Sequence, residues 1–220
     1  MSKERTDYLL DLNEILGPKM SAKLPGFAQR FLRKRLHMDQ INDCIMKAEH
    51  YAGAGFFDEA LNYIGITYKT RGEENLDLSK NYIFACNHPL GGPEALIIGS
   101  VFRRIYGDGF KVPANQILYN MKPLQEFFVP VKVQARRQSR DIADRFAQMF
   151  ESDCQVLVFP AGLCARTFKG VITEMPWKKM FITQARKYER DVVPVHISGH
   201  NSKWYFFLSW LSRTLKLKMN

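Results

Sequence analysis

Tyr82-Ile83-Phe84-Ala85-Cys86-Asn87-His88-Pro89-Leu90-Gly91-Gly92-Pro93-Glu94 is the stretch that decides the fold. Its first five residues are an apolar run of β type, and the residues after it, Ala95 to Phe102, read as a helix. A histidine therefore stands where a strand ends, with a carboxylate six residues on at the start of a helix. Strand ends are where α/β folds place their chemistry. A histidine held by a carboxylate is the usual general base for an alcohol or amine nucleophile. The Gly91-Gly92 pair lets the backbone turn sharply enough to bring Glu94 back toward the ring. Taken alone, the same residues would also suit an ordinary turn.

Working outward, strand and helix patterns alternate. The patterning predicts strands at Ile64–Thr70, Phe127–Val133, Gln155–Phe159 and Val192–Ile197, and helices at Asp39–Leu61 (whole or broken at Gly53-Ala54-Gly55), Ser139–Phe150 and Met180–Tyr188. The segment Pro113–Phe128 reads as irregular and aromatic, and Tyr8–Leu16 as a short amphipathic helix. The alternation argues for an α/β fold with a mixed, mostly parallel central sheet flanked by helices and an N-terminal amphipathic helical extension. The expected organisation is a helical, membrane-docking segment over residues 1–62 and an α/β domain over 63–220.

The chain has 220 residues, 46% hydrophobic and 25% charged, which is enough for one domain with a substantial core. Its formal net charge of +10 points to an anionic partner. Lys and Arg form no long tract, so a nucleic-acid partner is not expected and an anionic membrane surface is. No apolar run reaches the ~18 residues of a spanning helix. The N-terminus lacks a secretory apolar segment. The expected location is peripheral, on the cytoplasmic side of a membrane. Residues 27–36 set Phe27, Phe31, Leu32 and Leu36 on one helical face, with Arg30, Arg33, Lys34 and Arg35 around the rest. That pattern suits an anionic bilayer, or equally a helix packing its apolar face on the core. The aromatic tail Trp204–Trp210 carries the same two readings. Cys44, Cys86, Cys154 and Cys164 show neither metal spacing nor a disulfide framework and read as free thiols.

Three further blocks end strands. Val129-Pro130-Val131-Lys132-Val133-Gln134-Ala135-Arg136-Arg137 delivers two arginines, which can recognise a phosphate or carboxylate or simply be solvated. Phe159-Pro160-Ala161-Gly162-Leu163-Cys164-Ala165-Arg166 is a turn whose N–H groups, with Arg166, could hold an anion. Val193-Pro194-Val195-His196-Ile197-Ser198-Gly199-His200 reads as a wall of a cleft. His196 and His200 have no third ligand nearby, so they are read as structural or pocket-lining and no metal is expected.

In this order the four blocks resemble those of the glycerolipid acyltransferase superfamily, the lysophosphatidic-acid and glycerol-phosphate acyltransferases. The resemblance runs from about Tyr68 to Ser202. It is closest to the subgroup bearing hemolysin and ornithine-lipid acyltransferase names, which has an Asn-His-Pro-Leu-Gly-Gly block and Phe-Pro-Ala-Gly in place of Phe-Pro-Glu-Gly. The resemblance implies transfer of a fatty acyl group from an acyl-thioester, on acyl carrier protein or coenzyme A, to the hydroxyl of a lyso-lipid in membrane lipid synthesis. No cofactor is implied beyond that co-substrate. His88 would be the general base, Glu94 its carboxylate partner, and Arg136, Arg137, Gly162 and Arg166 the acceptor-binding residues.

Glu94 replaces the family aspartate and Ala161 the family glutamate; similar proteins also continue past Asn220, so a truncated C-terminus, or one lacking a final strand and helix, is expected. The alternative to catalysis is a membrane-associated lipid-binding protein on the same scaffold.

Overall fold

The computed structural model describes residues 11–13, 21–35, 37–48, 55–115, 119, 124–131, 139–168, 170–203, 205–206 and 210. Helices α1 (Gly26–Arg35), α2 (Met38–Ala48) and α3 (Phe56–Ile64) come first. They lead to β1 (Tyr82–Cys86), α4 (Gly92–Tyr106), β2 (Phe110–Ala114), β3 (Phe128–Pro130), α5 (Arg140–Glu151) and β4 (Gln155–Val158). A hairpin of β5 (Arg166–Phe168) and β6 (Val171–Thr173) follows, then α6 (Met180–Lys187) and β7 (Asp191–Val195).

The expected α/β architecture is present. The five-stranded sheet has the order β3-β2-β4-β1-β7 and is parallel throughout. Antiparallel pairing among the described residues is confined to the separate β5–β6 hairpin. Every residue of β1 is buried, as a parallel strand covered on both faces requires. Its side chains alternate between two cores. Phe84 joins Phe57, Phe102, Phe110 and Leu157 on one face, while Ile83 and Ala85 join Phe150, Val156 and Phe181 on the other. Phe57 can lie flat on α4 because Gly99 has no Cβ; any side chain there would collide with the Phe57 ring.

This topology positions the site. β1 lies between β4 and β7, with Phe84 in register with Leu157 on one side and Val193 on the other. Three of the four sequence blocks thus leave the sheet side by side at its C-terminal edge. Pro194, which has no N–H to give a ladder, is tolerated because β7 is the edge strand.

Two expectations fail. Residues 66–70 form no strand. Gly65, in the left-handed region at φ 69°, closes α3, and the chain then runs extended over α4. Ile66 and Tyr68 turn inward, and the Tyr68 and Ser100 hydroxyls bond at 2.6 Å. The alternation is real but reflects packing on a helix rather than on a sheet. Conversely, β2 is not among the expected strands: Phe110–Val112 fall in no predicted element, and Pro113 and Ala114 fall in the segment that reads as irregular. Val112 donates its N–H to Phe127 O and Ala114 accepts from Val131 N, so even positions face β3. Pro113 faces the β4 side, where the pairing covers only Phe110 and Lys111, so its missing N–H breaks no ladder bond.

The predicted helix over 39–61 is described as two, α2 and α3. Most of Tyr8–Leu16 lies outside the described residues. In α1 no residue is buried, and Phe27 and Phe31 are 70% and 48% exposed, so these phenylalanines do not pack on the core. In the aromatic tail, Phe206 is buried and Trp210 is exposed. Among the described residues no helix is long and apolar enough to cross a membrane.

Candidate active site

The site begins where β1 ends. The Asn87 side chain continues the β1–β7 register by one step: its Nδ2 donates to Ile197 O at 2.9 Å and its Oδ1 accepts from Ile197 N at 2.7 Å. His88, the next residue, is thereby fixed at the sheet edge. Asn201 Nδ2 donates to Pro89 O at 2.9 Å and ties the segment after β7 to the same loop.

The loop then turns at Gly91, at φ 85° and ψ −119°, and enters α4 through Gly92-Pro93. Gly91 is needed twice over: its φ is in the region that favours glycine, and a Cβ there would lie 3.0 Å from Cys164 Sγ. Glu94 in the first turn of α4 is fully buried. Its Oε2 accepts the Leu90 N–H at 2.8 Å, and its Oε1 bonds His88 Nδ1. The longer side chain thus spans the six-residue separation, and the extra methylene does not take the carboxylate out of reach. An ionised carboxylate only accepts, so Nδ1 carries the proton and Nε2 presents its lone pair.

His88 is held on every side. Its ring stacks on Phe159 at 4.5 Å between centroids and an interplanar angle of 25°. Its carbonyl accepts from Ala165 N at 2.7 Å, and its N–H donates to the Glu174 carboxylate. Trp177 Nε1 donates to the other Glu174 oxygen at 3.0 Å. Burial lowers the pKa of the imidazole to about 4, against the opposing charge of Glu174. The ring is therefore neutral near pH 7, the state a general base needs.

His88 Nε2 faces Cys164 Sγ at 3.6 Å. The Cys164 thiol also hydrogen-bonds Tyr205, and burial raises its pKa, so it rests as a neutral thiol. Burial raises the Cys86 thiol to about 12. At Cys164 the positive charge of Arg166 lowers the pKa by less than burial raises it, so neither thiol is activated to a thiolate.

Arg166 opens β5 two residues beyond Cys164, and its charge is felt by both Cys164 and Tyr205. Its Nε is buried without a hydrogen-bond partner. Gly162 takes φ 71° in the turn, and its N–H donates to Phe159 O at 2.9 Å. It therefore shapes the turn rather than offering an N–H. Arg136 and Arg137 lie outside the described residues. His196 and His200 are exposed. Among the described residues there is no group of three His, Cys, Asp or Glu that could hold a metal.

Reading the residues singly missed Phe159, Glu174 and Tyr205 as supports of the site. Phe159 opens one of the quoted sequence blocks and Tyr205 lies in the aromatic tail, whereas Glu174 lies in none of the four blocks.

A largely buried His–carboxylate pair at the C-terminal edge of a parallel sheet, its free nitrogen beside the Cys164 turn, is a site for proton-assisted group transfer. The chain belongs to an acyltransferase family, whose model, described as Acyltransferase, matches residues 12–220. It is similar to the Lyso-glycine lipid O-acyltransferase of Bacteroides thetaiotaomicron, 34% identical over 216 residues, covering 97% of this chain and 79% of that protein. It is also similar to the Lyso-glycine lipid O-acyltransferase of Phocaeicola vulgatus, 31% identical over 216 residues, covering 97% of this chain and 77% of that one. By class it is an O-acyltransferase. No solved structure matches it significantly.

Proposed function

We propose that the protein transfers a fatty acyl group from an acyl-thioester, on acyl carrier protein or coenzyme A, to the hydroxyl of a lyso-lipid of the glycine-lipid type, as a step of membrane lipid synthesis. The observation that carries this is the His88–Glu94 pair, with Nε2 directed at the turn that bears Arg166. The acceptor class rests on two relatives that share that name across nearly all of this chain.

The acceptor hydroxyl takes the place beside Nε2 that Cys164 Sγ lines. As its oxygen attacks the thioester carbonyl, its proton passes to Nε2. Glu94 stabilises the imidazolium that results and keeps Nδ1 protonated. The tetrahedral intermediate expels the donor sulfur, which takes the proton from Nε2 and leaves as a thiol. The ester is the product, and His88 is neutral again. The Arg166 guanidinium binds the anionic head group of the acceptor, as the family resemblance implies, and Gly162 sets the turn that leads to Arg166. Arg136 and Arg137 belong to the same acceptor-binding set by resemblance alone.

The test is acyl transfer by purified protein from acyl carrier protein and coenzyme A thioesters to lyso-glycine, lyso-ornithine and lysophosphatidic acceptors. Preferred O-acylation of the lyso-glycine lipid supports the reading. Preference for lysophosphatidic acid, or transfer to none, contradicts it.

A further inference from the structure

The β5–β6 hairpin belongs to no larger sheet among the described residues. Phe168 and Val171 face each other across its two strands, 51% and 65% exposed, and Ile172 is exposed beside Thr167 on the opposite face. Met175 and Trp177 continue the exposed apolar surface beyond β6, and Lys178 and Lys179 follow them, both exposed. A two-stranded hairpin is marginal in water, and a cluster of half-exposed large apolar side chains marks a surface that meets something.

Both feet of the hairpin are bonded to the backbone of His88. Ala165, just before β5, donates its N–H to His88 O, and Glu174, just after β6, accepts the His88 N–H. The apolar tip is therefore joined directly to the base.

We infer that the β5–β6 hairpin docks on an anionic lipid bilayer, its apolar residues entering the interface and Lys178 and Lys179 meeting the anionic head groups. Trp177 suits that depth: its ring is partly exposed while its N–H is already satisfied by Glu174. The unpaired edges of a two-stranded hairpin keep it in the interface, since backbone groups without partners do not enter hydrocarbon. Charge selects the occupant: two lysines follow the patch and the chain carries +10 overall, which favours an anionic surface over a neutral one. The inference extends the acyl-transfer reading by saying how the site reaches its lipid, but binding can be measured without any transfer.

The experiment is co-sedimentation with phosphatidylcholine vesicles made with and without phosphatidylglycerol. It uses the full chain, the double variant Phe168→Ser/Val171→Ser, and the double variant Lys178→Gln/Lys179→Gln. Thermal melting and oligomeric state are recorded for each. The wild type is expected to bind phosphatidylglycerol vesicles. The Phe168/Val171 variant should bind at least about tenfold more weakly with unchanged melting, given the transfer energy of two apolar side chains. The lysine variant should lose the preference for phosphatidylglycerol. His88→Ala protein should bind as wild type, which separates docking from catalysis. Undiminished binding by the Phe168/Val171 variant, no binding by wild type, or a wild-type dimer that this variant dissociates would each overturn the inference, the last by assigning the surface to a second copy.

Discussion

The Glu94 carboxylate reaches out of the first turn of α4 to bond His88 Nδ1 with one oxygen and the Leu90 N–H with the other. The second bond fixes the carboxylate, so the first fixes the ring. Glu94→Gln keeps an acceptor for Leu90 but removes the charge that stabilises a protonated His88. It should lower kcat by about 10^2–10^4-fold, the usual range for general acid–base catalysis, with little change in melting temperature. Glu94→Asp should also lose activity, because the shorter side chain no longer spans both partners. Steady-state kinetics of the two variants check this.

The acid limb of the pH profile follows from burial. Burial lowers the pKa of His88 to about 4 from a usual 6.5, and only the neutral ring accepts a proton. Activity should therefore hold as pH falls through 6.5 and decline only nearer 4. The acid limb of kcat/KM, which reports the free enzyme, measures it. A limb at or above 6.5 would contradict the assignment of a desolvated His88.

Cys164 stands 3.6 Å from His88 Nε2, close enough to invite a reading as nucleophile. Burial keeps it a neutral thiol, and direct transfer needs no acyl-enzyme. Cys164→Ser and Cys164→Ala should stay within about tenfold of wild type, a margin of about 1.4 kcal/mol. Mass spectrometry of wild type held with thioester alone should find no acyl adduct. An adduct on Cys164, or loss of activity in both variants, would overturn this.

Arg166 is the arginine proposed to bind the anionic head group of the acceptor. A hydrogen bond from a charged donor contributes about 1.5–3 kcal/mol. Arg166→Ala should thus raise the KM for the acceptor by roughly ten- to a hundredfold. Arg166→Lys should not restore it, since a single ammonium does not reproduce the guanidinium fork. Initial rates against acceptor concentration separate KM from kcat.

Much of this site was legible in sequence because it is local. The strand, His88, the Gly91-Gly92 turn and Glu94 follow one another within 13 residues, and the β4 turn carries its arginine in the same way. What was hidden depends on distance. That β4 and β7 flank β1, and so bring their blocks together, is a matter of sheet order that no local pattern records. Glu174 meets His88 from 86 residues away, and Asn201 meets Pro89 from 112. The false strand at 64–70 has the same cause. Alternation reports which side chains turn inward, and whether a neighbouring strand stands there to be paired is decided elsewhere in the chain.

The central claim is that His88 is the base that takes the acceptor's proton. Its most direct test is the rate of acyl transfer by His88→Ala protein, measured with the wild-type donor and acceptor and with melting temperature as the control on folding. The account predicts a fall of at least about 10^3-fold with melting temperature unchanged. Transfer at the wild-type rate by folded His88→Ala protein would contradict it.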